Sequence, residues 1–313
     1  MNRRVASAFA MAAALQGVGT VLIDGFSAPF AIRSGLVLAS LLAVASFGET
    51  LVILLGGIDL SVPFVIGFGN VVAAQLYGHG MPFALVCAIV FVLAGAVGVL
   101  NGLLSAGLAV HPLILTLGSG TAVQGAVLFW TKGFPAGSAP QFVADFVSIG
   151  GSVGPLPVPW LVPATAALAG ALMLLLDRTP FGQRLYALGA NPTAAPFALI
   201  RPVRMAMATY GASALFAAAA GVLLLGFTGS AYADVGQPYL FQAIAAVVIG
   251  GTALTGGQGG IAGTVAGALV LTQANTLLIG LGLPPASVEA ALGAVILVLV
   301  SIYGRMPPLR GSI

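Results

Sequence analysis

Leu36-Val37-Leu38-Ala39-Ser40-Leu41-Leu42-Ala43-Val44-Ala45-Ser46-Phe47-Gly48-Glu49-Thr50-Leu51-Val52-Ile53-Leu54-Leu55 runs for twenty residues with one ionisable side chain, Glu49. About 20 apolar residues in a helix match the hydrocarbon thickness of a bilayer, so this stretch reads as a transmembrane span. The same reading holds elsewhere. Runs bounded by Gly, Pro or charge occur at 5–23, 36–55, 60–77, 83–104, 113–130, 160–176, 205–227, 239–252, 261–283 and 286–303. They predict an all-α, polytopic bundle of about ten helices, a single domain over residues 1–313, with the third and eighth spans short or interrupted.

Composition agrees. The 313 residues are 59% hydrophobic and 5% charged, with mean hydropathy +1.13. Soluble domains carry about 25% charged residues, so ten Lys and Arg with seven Asp and Glu cannot solvate a globule of this size. That excludes a soluble enzyme and a disordered tail. The pI of 9.4 rests on a net charge of +3; no basic stripe exists for nucleic acid. The lone Cys87 offers neither a disulfide nor a thiolate metal site. Arg3 and Arg4 ahead of an apolar run resemble a signal peptide, but a first transmembrane helix is the simpler assignment when every later segment also sits in lipid.

Charge orients the spans. With the N-terminus inside, Arg3, Arg4, Arg178, Arg184, Arg201, Arg204, Arg305 and Arg310 lie on the cytoplasmic side and only Arg33 and Lys132 outside, as the positive-inside bias requires. Both termini are then cytoplasmic. The outer loop 131–159, rich in proline, is expected to be an irregular cap. The inner loop 177–204 is expected to carry a short surface helix with Asn191 as N-cap and Pro192 as its first residue, kinked by Pro196 and ending near Ile200 because Pro202 disfavours helix at Arg201.

Several chemistries have no residues to run on. The single lysine, Lys132, lies between Thr131 and Gly133 rather than in a phosphate-binding loop, and His79 and His111 start no zinc-binding helix. Gly150-Gly151-Ser152-Val153-Gly154 matches a nucleophile elbow, yet no apolar strand precedes it. Gly257-Gln258-Gly259-Gly260-Ile261-Ala262 mimics a dinucleotide fingerprint, but a transmembrane run follows. Both read as punctuation. No catalytic residue, metal site or cofactor is expected.

Polar groups inside lipid are more informative, because an ionisable side chain there is costly and marks a pathway or a buried partner. Glu49 has two open readings, a pathway group or a hydrogen-bonded packing residue. Asn70, Gln75, Gln124, Gln273 and Asn275 fit either a polar pathway or interhelical hydrogen bonds. Gly56-Gly57-Ile58-Asp59-Leu60-Ser61-Val62-Pro63 joins two runs with almost no loop. Asp59 and Ser61 there either cap the next helix or line a pathway. A similar break at Gly250-Gly251-Thr252-Ala253-Leu254-Thr255 reads as coincidence in a glycine-rich chain. Gly259, Gly263 and Gly267, spaced by four, read as a close helix approach.

Three blocks together resemble the membrane-embedded permease subunits of bacterial ABC importers of the ribose, arabinose and xylose type. The first is Gly48-Glu49-Thr50-Leu51-Val52-Ile53-Leu54-Leu55-Gly56-Gly57-Ile58-Asp59-Leu60-Ser61-Val62. The second runs from Arg178-Thr179-Pro180-Phe181-Gly182-Gln183-Arg184-Leu185-Tyr186-Ala187-Leu188-Gly189-Ala190-Asn191 to Ala194-Ala195. The third runs from Ala243 through Gly250-Gly251-Thr252 and Gly256-Gly257-Gln258-Gly259 to Asn275. Blocks in this order cover about residues 30 to 303. The chain departs from the family pattern at Leu55, Pro63, Pro192 and Pro196.

The resemblance implies a subunit of the bacterial inner membrane that moves a monosaccharide-type substrate. It also implies a cytoplasmic ABC ATPase that binds the ATP, a second permease copy or paralogue, and a periplasmic or lipid-anchored sugar-binding protein. Residues 177–204 would be the coupling loop, with Arg184, Tyr186, Gly189, Asn191, Ala194 and Ala195 facing the ATPase, and a charge at Ala195 would uncouple hydrolysis from uptake. Glu49, Asp59, Ser61, Asn70 and Asn275 are the candidate pathway residues. The rival reading is an autonomous secondary transporter in which Glu49 or Asp59 carries a coupling proton or ion.

Overall fold

A computed structural model describes residues 3–108, 110–284, 286–291 and 293–294. Its helices are α1 (Arg3–Leu22), α2 (Pro29–Leu55), α3 (Val62–Gly78), α4 (Phe83–Gly107), α5 (Pro112–Trp130), α6 (Gln141–Val147), α7 (Leu161–Arg178), α8 (Pro180–Ala190), α9 (Pro202–Thr228), α10 (Tyr239–Ile249) and α11 (Ile261–Gly280). A 3-10 turn, Ala195–Ala198, lies between α8 and α9. Nine of the ten expected spans coincide with a helix. The tenth, 286–303, with Arg305 and Arg310, falls largely outside the described residues.

Seven helices, α1, α2, α4, α5, α7, α9 and α11, are long and apolar enough to cross a membrane, while α3 and α10 are shorter. A helix that is apolar all round belongs in the interior, and α2 is buried from Leu41 to Leu54 without interruption. It forms the centre with α9. Around them α9 packs on α4, α3 and α2, and α11 packs on α1, α2 and α10. The outer helices turn large apolar side chains outward: Val21, Val92, Ile114 and Phe129 are all strongly exposed, as suits a lipid-facing shell.

The close crossing expected at the spaced glycines is present for two of the three. A Cβ on Gly263 would meet the carbonyl oxygen of Gly250, and one on Gly267 that of Ala246, so α11 touches α10 backbone to backbone. Gly259 instead sits in the turn ahead of α11 at φ 130°, against Thr252.

Three expectations are corrected. The outer loop is not wholly irregular, because α6 stands in it with Val143 and Val147, one turn apart, buried beneath it; two turns are too few to show a period. In the inner loop the α-helix precedes Asn191, which caps the C-terminus of α8 rather than starting a helix. Beyond it, Pro192 and Pro196 lack the N–H that an α-helix needs, and the segment closes as a 3-10 turn. The expected stop holds: Arg201 is extended, at φ −93° and ψ 103°, ahead of Pro202. Finally, Ser61 does not cap α3 through its side chain. Pro63 at the second helical position has no N–H to offer it, and the hydroxyl turns to Asp59 instead.

Candidate functional site

α2 ends at Gly56, whose left-handed φ of 93° returns its N–H to Ile53 and breaks the helix. The chain then crosses 57–61 unwound, inside the protein, before α3 begins. Irregular backbone at that depth needs polar partners, and they are drawn from three helices, α2, α4 and α5. The Asp59 N–H donates to Glu49 Oε1 on α2 at 3.2 Å, and the Leu60 N–H donates to Thr116 Oγ1 on α5 at 3.0 Å. Ser61 donates to Asp59 Oδ1 twice, from its N–H at 2.9 Å and its hydroxyl at 2.5 Å. The Asn101 amide on α4 donates to Ser61 Oγ at 3.3 Å. Tyr210 and Ser213, on α9, complete the surround: the Tyr210 hydroxyl lies where a Cβ on Gly57 would be, and Ser213 backs Gly48.

Glu49, Asp59, Ser61, Asn101, Tyr210 and Ser213 are all buried. Among the described residues, four of their oxygens make no hydrogen bond of normal length and angle: Glu49 Oε2, Asp59 Oδ2, Tyr210 OH and Ser213 Oγ. Buried polar atoms are normally paired, so such a concentration marks this break as the chemically distinct point of the bundle interior.

Among the pathway candidates, then, Glu49, Asp59 and Ser61 come together. Asn70 lies on α3, where its amide donates to the Gly221 carbonyl at 3.3 Å and accepts from the Tyr232 N–H at 2.9 Å; both ends are engaged in tying α3 to α9 and to the loop beyond it. Asn275 is half-buried on α11 and forms no hydrogen bond to the cluster. Asn101, Tyr210 and Ser213 were not singled out from sequence. Asn101 stands out in its apolar run as Glu49 does, but without a charge; Tyr210 and Ser213 share theirs with Thr209 and stand out less.

The second break, 250–260, lies against the first. The Gly257 N–H donates to the Leu54 carbonyl at 2.9 Å, and the Thr50 and Thr264 hydroxyls are 2.7 Å apart. The two similar motifs thus form one seam, and α8 covers it. A Cβ on Gly189 would collide with the Leu54 carbonyl oxygen, so only glycine admits α8 this closely. Tyr186 reaches across to donate its hydroxyl to the Gly259 carbonyl at 2.9 Å. Burial, reinforced by the Asp177 carboxylate, holds that hydroxyl above the usual tyrosine range, keeping it a donor.

Beyond the seam, Asn191 Oδ1 accepts from the Ala194 N–H at 3.0 Å and the Thr193 hydroxyl at 2.7 Å. Of the six candidate coupling residues, Arg184, Asn191 and Ala194 are exposed, Tyr186 is half-buried, and Gly189 and Ala195 are buried. Ala195 therefore supports the turn from beneath and is no outward contact. The large apolar side chains turned outward are Phe197 and Leu199, each 91% exposed, with Leu199 held at φ 58°. Their signal in the sequence is a run of large apolar residues, Phe197, Leu199 and Ile200, between Pro196 and Pro202 in a loop that carries four arginines.

Residues 31–301 match the family model described as branched-chain amino acid transport system / permease component. The chain is 34% identical over 282 residues to the ribose import permease protein RbsC of Bacillus subtilis (strain 168), covering 90% of this chain and 87% of that protein. It is 35% identical over 239 residues to the RbsC protein of Haemophilus influenzae (strain ATCC 51907 / DSM 11121 / KW20 / Rd), covering 75% and 73%. With the autoinducer 2 import system permease protein LsrD of Escherichia coli (strain SMS-3-5 / SECEC) the identity is 31% over 265 residues, covering 83% and 79%. No solved structure matches the chain. With the apolar multi-span bundle and the family match extending over most of its length, the chain belongs to this family of ABC-importer permease subunits, as a multi-pass protein of the inner membrane.

Proposed function

We propose that this subunit carries a monosaccharide-type substrate inward across the membrane, driven by ATP hydrolysis on a separate subunit that docks on residues 177–204. A second permease copy or paralogue completes the pathway and a binding protein delivers the substrate at the opposite face. The likeness to two ribose import permeases supports the substrate class. The observation that carries the docking reading is the pair Phe197 and Leu199. They project from a short turn whose base, Ala195 and Ile200, is buried, and whose neighbouring helix α8 is clamped on the seam between the two breaks. Exposed apolar anchors on a rigid support are what a protein partner recognises. A push on this turn reaches the buried cluster through α8, which rests at Gly189 on the Leu54 carbonyl of α2, an arrangement suited to biasing two alternative packings.

The test is a pull-down from the native host at native expression, followed by uptake assays. Replacing Phe197 and Leu199 together by Asp is expected to abolish co-elution of an ABC ATPase and reduce uptake at least about tenfold, while the protein still reaches the membrane. Retained co-elution would overturn the docking reading. The four unpartnered oxygens around Glu49 and Asp59 favour the second reading, proton- or ion-coupled secondary transport. Collapse of uptake on dissipating the proton gradient, with cellular ATP maintained, would establish it in place of the first.

A further inference from the structure

α7 packs on α2, α8 and α11 and stands off from α9. The space between is a groove of about 680 Å³, lined by α2, α4, α6, α7 and α9 with side chains such as Leu51, Phe91, Phe146, Leu172, Leu215 and Phe216. Phe181, at the start of α8, lines the foot of this groove and also a second pocket of about 430 Å³. That second pocket has a different character. Arg184, Arg201 and Arg204 line it, and among the described residues no carboxylate does.

The placement of those arginines is electrostatically unfavourable in the protein alone. Arg201 is the N-cap of α9 and Arg204 lies in its first turn, where no acidic residue is present. The N-terminus of a helix carries partial positive charge, and cations there are destabilising. All three arginines are exposed, and none forms an ion pair with a described carboxylate. Three guanidinium groups and a helix N-terminus converge on a site that calls for an anion.

We propose that groove and pocket together bind one anionic phospholipid, its acyl chain lying between α7 and α9 and its phosphate against Arg184, Arg201 and Arg204. Basic pockets between transmembrane helices on the cytoplasmic side hold acidic headgroups in this way. The two spaces adjoin at Phe181, and this adjacency decides the occupant. An acidic protein surface would neutralise the arginines but leave an apolar groove at bilayer depth unfilled, whereas an amphiphile with an acidic head satisfies both at once. The inference rests on the chain's place in the membrane and is independent of which solute it moves.

The test uses the delipidated full-length protein in detergent, challenged with equal amounts of phosphatidylglycerol and phosphatidylethanolamine and read by native mass spectrometry. Each arginine beside a headgroup contributes about a fivefold preference, so phosphatidylglycerol is expected to be retained at least about tenfold over phosphatidylethanolamine. Arg201→Gln with Arg204→Gln is expected to reduce that preference by more than tenfold, to the roughly fivefold that Arg184 alone contributes. Leu215→Trp, which narrows the groove, is expected to lower retention of both lipids while the preference persists. Equal retention of the two lipids by the unaltered protein overturns the proposal. So does a preference that survives substitution of all three arginines by Gln, including the case in which those substitutions remove a co-purifying ATPase. Retention unchanged by Leu215→Trp overturns the acyl-chain half.

Discussion

Glu49 shows how one residue can be read twice. Its Oε1 has a defined task, accepting the N–H of Asp59 where the chain leaves helix, while its Oε2 has none. The two oxygens separate the packing role from the pathway role. Glu49→Gln retains an acceptor of the same shape, so thermal unfolding in detergent is expected to change little, and under the importer reading uptake stays above about half. Glu49→Ala leaves the Asp59 N–H buried without an acceptor, a loss of about 1–3 kcal/mol, seen as a lowered unfolding temperature. Uptake abolished by Gln at unchanged stability would instead assign Glu49 a transported or exchanged proton.

Among the elements, apolar run length located the helices well and their ends less well. α2 starts at Pro29, seven residues ahead of the apolar run, because Arg33 and Ser34 are compatible with helix wherever the chain meets water. α9 likewise starts at Pro202, which draws Arg204 into its first turn. The break at 57–61 was legible as a chemically special site from Asp59 and Glu49, since charge inside an apolar run stands out. Its partners Asn101, Tyr210 and Ser213 come from other helices, and no local pattern carries that convergence. The inner helix was misplaced by following Asn191 and Pro192 as start signals, when Pro180 already opens α8 and Thr179 precedes it in extended conformation. Glycine provides a sharp test of this packing. Gly189→Ala meets the Leu54 backbone and is expected to cost about 1–3 kcal/mol, whereas Gly170→Ala, in the middle of α7 with nothing within 4 Å, is expected to raise stability by up to about 1 kcal/mol. Thermal unfolding of both variants in one detergent should give shifts of opposite sign.

For the whole molecule, the parity of basic residues predicts a sidedness that labelling can check. In a Cys87→Ala background, cysteines replacing His79 and Lys132 are expected to react with a membrane-impermeant maleimide in intact spheroplasts. Cysteines replacing Arg184 and Arg201 should react only after permeabilisation; all four positions are exposed. The reverse pattern would place residues 177–204 on the wrong face for an ATPase and remove the docking reading. At this scale the all-helical bundle was readable from hydropathy alone, while the grouping around α2 and α9 was not, because helices of similar apolar content differ in burial only through their neighbours.

The seam between the two breaks is held chiefly by main-chain atoms: the Gly257 N–H on the Leu54 carbonyl, Gly189 pressed to that same carbonyl, and Gly263 and Gly267 against Gly250 and Ala246. Apart from the Thr50–Thr264 pair and the Tyr186 hydroxyl, such a joint has no side chain to trim. Alanine scanning, which reads a contact by truncating it, is blind to the glycine contacts, where substitution can only insert a wedge. Information about this contact is written as absence of atoms, so drift in the surrounding residues can alter what the subunit carries without changing how α8 grips the two breaks.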